Sequence, residues 1–172
     1  MKQTDKPHPL VSLAREAIAS HLSGNLLPQA EVVEETSEAA GAFVSLKKAG
    51  QLRGCVGTIQ PVRATIAEEV VDNAISAATR DPRFQPLTLE ELDEVIISVD
   101  VLGTPAPVPG LEDLNPSRYG VIVKSGRRKG VLLPDLPGII TAEEQVRIAR
   151  QKAGIGESET VELLRFEVKR YT

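Results

Sequence analysis

The segment Leu52-Arg53-Gly54-Cys55-Val56-Gly57-Thr58 holds the residues most able to do chemistry. It contains the chain's single cysteine, an arginine two residues before it, and glycines on either side. Residues at alternate strand positions have Cα atoms roughly 6.5–7 Å apart, within reach of an arginine side chain. A guanidinium ~4 Å from the sulfur, at an effective dielectric of ~20, supplies about 4 kcal/mol, an upper bound of about three pK units. That would generate thiolate near neutral pH. Cys55 is therefore a candidate nucleophile or redox-active thiol, with Arg53 as its electrostatic partner or a substrate anchor. Thiol catalysis also wants a base. His8 sits in the N-terminal tail and His21 near the end of a helix, so spacing places neither beside Cys55, and Asp81, Glu68 and Glu69 remain as substitutes. The competing reading is a small cysteine packed against Phe43.

Glycine inside a strand marks a place where backbone or ligand comes close. Gly54 and Gly57 are accordingly candidate binding positions. So is Arg83, in the stiff turn Asp81-Pro82-Arg83-Phe84-Gln85-Pro86, unless it only pairs with Asp81. Arg53 and Arg83 could together receive a small anion, joined by the basic tip Lys124-Ser125-Gly126-Arg127-Arg128-Lys129.

The elements that must position these groups follow from periodicity. Leu10, Leu13, Ala14, Ala17, Ile18 and Leu22 have helical spacing from Pro9 to a stop at Gly24. Residues 24–40, with Glu31, Glu34, Glu35 and Glu38, read as an acidic connection. Strand Ala42–Lys47 and the motif strand flank Lys48-Ala49-Gly50, which matches a three-residue hairpin loop. Pairing Lys47 with Gln51 sets Leu52, Gly54 and Val56 on an inward face with Ala42, Val44 and Leu46. Ser45 then faces Arg53, and Phe43 faces Cys55.

Pro61 opens a helix striped by Val62, Ile66, Val70, Ala74 and Ala78, which packs on the Gly54 face and stops before Asp81-Pro82. Thr88 and Glu91 have capping-box spacing, and Val95–Leu102 reads as a central strand. Gly103–Gly110 is proline-rich and marks a linker or lobe boundary. A second hairpin joins Tyr119–Val123 to Gly130–Leu133. Thr141 and Glu144 cap a helix ending at Gly154, and Leu164, Phe166 and Val168 alternate in one last strand. Strands arriving as hairpins and isolated runs favour α+β with antiparallel sheet.

Composition removes several functions. The chain's 172 residues, 41% hydrophobic and 26% charged, fit one domain or a domain with a smaller lobe. A net charge of −4 argues against a nucleic-acid binder. Two histidines and one cysteine give no metal-ligand spacing, and neither GxGxxG nor GxxxxGK[ST] occurs, so no metal and no cofactor is expected. One cysteine excludes an internal disulfide, and MKQTDKPHPL lacks a signal core, so the expected site is the cytoplasm, with no membrane.

With the LRGCVG hexapeptide, the DPRFQP turn, the GVLLP strand and the QKAGI segment in this order, the chain resembles the AMMECR domain family, also called AmmeMemoRadiSam system protein A. The resemblance runs from about Leu10 to Val168, and Val56 replaces the family's usual isoleucine. Leu133 to Ile155 is similar to the bacterial branch, without the tryptophan and the cysteine before KAG of some other members. The resemblance implies one AMMECR-like domain over residues 1–172, of two unequal lobes. Each lobe would be an antiparallel sheet flanked by helices, with a groove between them. The larger lobe would come from the N- and C-terminal parts and the smaller from a central segment. It also implies company, a Memo-like protein and a radical-SAM protein, but no assigned reaction. Three readings stand side by side: a thiol enzyme using Cys55, a binding module for an anion or nucleotide, and a domain that docks on those partners.

Overall fold

The computed structural model describes residues 6–29 and 37–172, so Glu31, Glu34 and Glu35 of the acidic connection lie outside it. The chain divides into two compact units, Met1–Leu102 with Lys169–Thr172, and Gly103–Val168. In the first, α1 (Pro9–Leu22) starts beneath His8, whose Nδ1 accepts the Leu10 N–H, with Pro9 at its first position. The sheet has the order β2-β1-β3-β8, from β1 (Ala42–Lys48), β2 (Gln51–Gly57), β3 (Val95–Leu102) and β8 (Val168–Tyr171). β1 runs antiparallel to both β2 and β3, and β3 lies inside the sheet between β1 and β8. α1 and α2 (Ile66–Thr79) close a core of Ala14, Ile18, Val44, Leu46, Val70, Ala74 and Val99.

The second unit is a sheet of order β4-β7-β5-β6, built from β4 (Ala106–Val108), β5 (Gly120–Ser125), β6 (Arg128–Leu132) and β7 (Glu162–Phe166), all its pairs antiparallel. α4 (Ala142–Ala153) covers it through Val146 and Ala149 against Val121, Val123 and Leu132. The molecule is thus α+β, two antiparallel sheets flanked by helices. No helix among the described residues is long and apolar enough to cross a membrane.

One device seats a helix in each unit. A Cβ at Gly54 would overlap the Ala77 carbonyl oxygen of α2, and one at Gly130 would overlap the Ala149 carbonyl oxygen of α4. Glycine lets the helix backbone lie directly on the strand.

Four elements differ from the sequence reading. The first hairpin turns on two residues, Ala49 (φ 50°) and Gly50 (φ 77°), the left-handed pair of a type I′ turn. Lys48 pairs with Gln51, Lys47 with Leu52 and Leu46 with Gly54, so Arg53 is the extra residue of a β-bulge. Gly54 and Val56 keep the inward face, but Leu52 opposes Lys47 and is 40% exposed. Ser45 pairs with Cys55 instead of Arg53, and Phe43 pairs with Gly57 instead of Cys55.

The helix predicted from Pro61 begins instead at Ile66, with Thr65 as its N-cap. Glu69 takes the N–H groups of Val62 and Arg63, which holds residues 60–64 out of the helix and leaves Val62 73% exposed. The second hairpin turns at Gly126-Arg127, and its strands run on through the basic residues, which leaves no six-residue tip. Finally, the C-terminal run breaks at Glu167. Its halves, β7 and β8, enter different sheets, because the alternation is satisfied equally by either one.

Candidate functional site

The motif strand β2 is an edge strand, and an edge strand presents unpaired backbone groups. The turn after α2 closes that edge at Cys55. Asp81 Oδ2 accepts the Cys55 N–H at 2.9 Å, and Arg83 Nη2 lies 3.5 Å from the Cys55 carbonyl oxygen. Arg83 in turn grips Asp81, Nε to Oδ1 at 3.0 Å and Nη2 to Oδ2 at 2.7 Å, with its own N–H on Oδ1 at 3.1 Å. The Asp81 side chain is 3% exposed, whereas that of Arg83 is 54% exposed. The Arg83 guanidinium, then the Cys55 and Arg83 N–H groups, hold the Asp81 carboxyl far below the usual carboxylate range against the opposing effect of burial. The two motifs LRGCVG and DPRF are therefore one construction. The expected Arg83–Asp81 pair is present, and Asp81 is occupied with two N–H groups and a guanidinium.

Arg53, the bulged residue, is bound by Glu91. Its Nε reaches Oε1 at 3.3 Å and Nη2 reaches Oε2 at 3.0 Å, while Nη1 donates to the Gln85 carbonyl at 2.9 Å. Glu91 is also the reciprocal partner of Thr88 in the capping box of α3 (Leu89–Leu92) and receives Lys48 Nζ at 3.4 Å. The Arg53 guanidinium first, then the Thr88 N–H and Lys48, pull the Glu91 carboxyl down to about 2. One carboxylate thus joins a helix cap to both strands of the hairpin. Arg53→Ala is expected to lower stability by about 1–2 kcal/mol, since a charge-assisted hydrogen-bonded pair is lost at a site only 17% and 24% exposed. Urea unfolding measures it, and an unchanged midpoint would show the pair to be ornamental.

Cys55 itself is half-buried. Its Sγ lies 3.3 Å from Ser45 Oγ, and Ser45 also pairs across with Ser98, so Cys55, Ser45 and Ser98 form a row over three strands. The neighbouring row is Gly57, Phe43 and Asp100, and a Cβ at Gly57 would strike the Phe43 ring. Asp100, 2% exposed, is held by Arg170 Nε and Nη2 at 2.7 and 3.0 Å. The guanidinium carbons of Arg53 and Arg83 stand 6.0 and 5.5 Å from the Phe84 ring centroid, within cation–π range.

Of the remaining candidates, Glu69 is 1% exposed and binds Thr58 Oγ1 besides Val62 and Arg63. Asn73 Nδ2 adds bonds to the Ala42 carbonyl at 2.9 Å and to Thr58 Oγ1 at 3.3 Å. This buried network fixes the loop after β2, and sequence reading missed it. A Glu and an Asn on the apolar side of a helical stripe, four residues apart, were the available signal. At the second hairpin Arg128 is engaged by Glu159 and the Gly154 carbonyl, and Lys152 by the Val131 carbonyl, which takes Arg128 out of the basic tip as an anion receptor. No group of three or more His, Cys, Asp or Glu among the described residues could hold a metal ion.

The AMMECR1 family model matches residues 11–171. A Thermotoga maritima protein is 48% identical over 169 residues, covering 95% of this chain and 97% of that one. A Clostridium acetobutylicum protein is 47% identical over 95% of this chain, which spans only 36% of that longer relative. The crystal structure of an uncharacterized protein from Pyrococcus horikoshii superposes with a TM-score of 0.85 at 30% identity, covering 96% of this chain and 91% of that one.

Proposed function

The chain belongs to the AMMECR1 family, and from that premise we propose that it is a binding domain. It receives a small anionic group at Arg83, beside Cys55 and Ser45, and works with Memo-like and radical-SAM proteins. The observation that carries the site is the state of Arg83. Asp81 fixes its guanidinium in place, yet the side chain is 54% exposed, and Nη1 takes no part in the bonds to Asp81 or Cys55. A preorganised, solvent-facing guanidinium loses little freedom on meeting a carboxylate or phosphate. Gly54 and Gly57 serve this site indirectly, by letting α2 and Phe43 pack against the strand that carries it. The partner reading rests on what the family resemblance implies, and the chain spans only 36% of the longer Clostridium relative.

A thermal-shift screen with inorganic phosphate, nucleotides and phosphorylated metabolites tests the site. A ligand at ten times its Kd contributes about 1.4 kcal/mol, a rise in Tm of about 3–6 °C for a chain of this length. Arg83→Lys keeps the charge but not the fork, and should remove most of that rise. No shift with any anion overturns the anion site. Co-purification with a Memo-like and a radical-SAM protein tests the partnership, and failure to associate at micromolar concentration overturns a stable complex.

The second reading, a thiol enzyme, is favoured by the half-buried position of Cys55 with Ser45 Oγ 3.3 Å from its sulfur. Alkylation rate against pH decides it. An apparent pKa below about 7.5 supports a poised thiol, and a value near 8.5 or an unreactive sulfur sinks it.

A further inference from the structure

The second unit contains an open cavity of about 370 Å³ lined by Leu111, Val146, Val161 and Leu163, with Glu143, Arg147, Arg150 and Glu157 at its rim. Glu143, Val146, Arg147 and Arg150 fall at i, i+3, i+4 and i+7 of α4, so one flank of that helix supplies both floor and rim. The volume lies at the small end of the range for ligand sites, and the apolar floor with a few polar groups is their usual make-up.

The rim charges are unequally employed. Arg147 Nη2 binds Glu144 Oε1 at 3.0 Å, and Arg150 Nη1 binds the carbonyls of Gly156 at 2.6 Å and Glu159 at 3.1 Å. Glu143 and Glu157 enter no ion pair among the described residues. Arg147 is thus paired with a carboxylate and Arg150 is anchored on two carbonyls, while the carboxylates of Glu143 and Glu157 border the apolar hollow. We infer that this cavity binds a compact apolar molecule carrying a protonated primary amine, its hydrocarbon on Val146, Val161 and Leu163 and its ammonium at Glu143 and Glu157. The inference is independent of the β2 site.

Leucinamide, titrated into the full chain by calorimetry, is the probe. Saturable binding is expected, weakened about tenfold or more in N-acetyl-leucinamide, which lacks the charge, and in glycinamide, which lacks the hydrocarbon. Glu143→Gln and Glu157→Gln should each weaken it about tenfold with the circular dichroism spectrum unchanged. Val161→Trp, which fills the hollow, should abolish it. Leucine binding as tightly as leucinamide supports the site and points to a free amino acid, and a preference for leucyl peptides points to a chain N-terminus. Absence of binding, equal binding of N-acetyl-leucinamide, or indifference to both glutamine variants overturns the inference.

Discussion

Gly54→Val is expected to destabilise the protein by about 3 kcal/mol or more, at the upper end of what overpacking a core costs. The reason is geometric. A Cβ at this position would overlap the Ala77 carbonyl oxygen, a backbone atom in the last turn of α2. A side chain could turn aside, but a helix must move whole. Moving α2 would open the core formed by Val70, Ala74, Ala77 and Ala78 against Val44 and Leu46. It would also drag Asp81, just beyond the helix, off the Cys55 N–H. Since domain stability is about 5–15 kcal/mol in total, the loss is a large share of it. The midpoint of urea unfolding measures the effect, and a midpoint equal to wild type would show that α2 is not seated on β2.

Asp81→Ala carries a comparable cost by a different route, about 3 kcal/mol. It leaves the Cys55 N–H and the Arg83 donors without the carboxylate that satisfies them. Partial exposure of the Arg83 side chain keeps the figure below that of a wholly buried pair, because water can replace part of the lost interaction. The same carboxylate predicts the acid limit of the fold. Its folded pKa lies below its unfolded value, as does that of Glu91 at about 2. Each group therefore contributes stability that is fully present above about pH 4–5. That stability is lost as pH falls below the unfolded value and through the folded one. Asp81→Asn should flatten the acid limb of a stability–pH curve between about pH 4 and pH 2 and change its height at pH 7. An Asn variant with an unaltered acid limb would mean that Asp81 is not paired in solution.

Much of the local structure was readable from residue types alone. The Thr88/Glu91 capping box, the left-handed Gly154 at the end of α4 and the strand Val95–Leu102 are present in the structure. Each depends on neighbours within a few positions, and caps and alternation are short-range rules. The expectations that failed were those in which two local solutions compete. A three-residue loop and a two-residue turn with a later bulge both fit Lys48-Ala49-Gly50. They place Gly54 and Cys55 on the same faces, and only Leu52 and the partners across the strand distinguish them. Likewise Pro61 is a good first residue for a helix, but the Glu69 carboxylate, reaching back to two N–H groups, makes a loop there more favourable.

By itself the sequence determined the α+β class, the inward side of Gly54 and Val56 and the smallness required at Gly54, and it offered the pairing of Arg83 with Asp81 as one of two readings. These follow from side-chain period, chain geometry and adjacency along the chain. Only the tertiary structure decided what Arg53 and Cys55 meet, because their partners lie 38 and 26 residues away at Glu91 and Asp81. Charge attraction names many acceptable partners for an arginine, and a backbone N–H at a sheet edge can donate to any nearby carboxylate. Seating α2 on Gly54 fixes where the chain emerges at Asp81, and that placement selects one partner from many. The motif is thus less a self-contained reactive strand than one half of a clasp whose other half is the Asp81-Pro82-Arg83 turn.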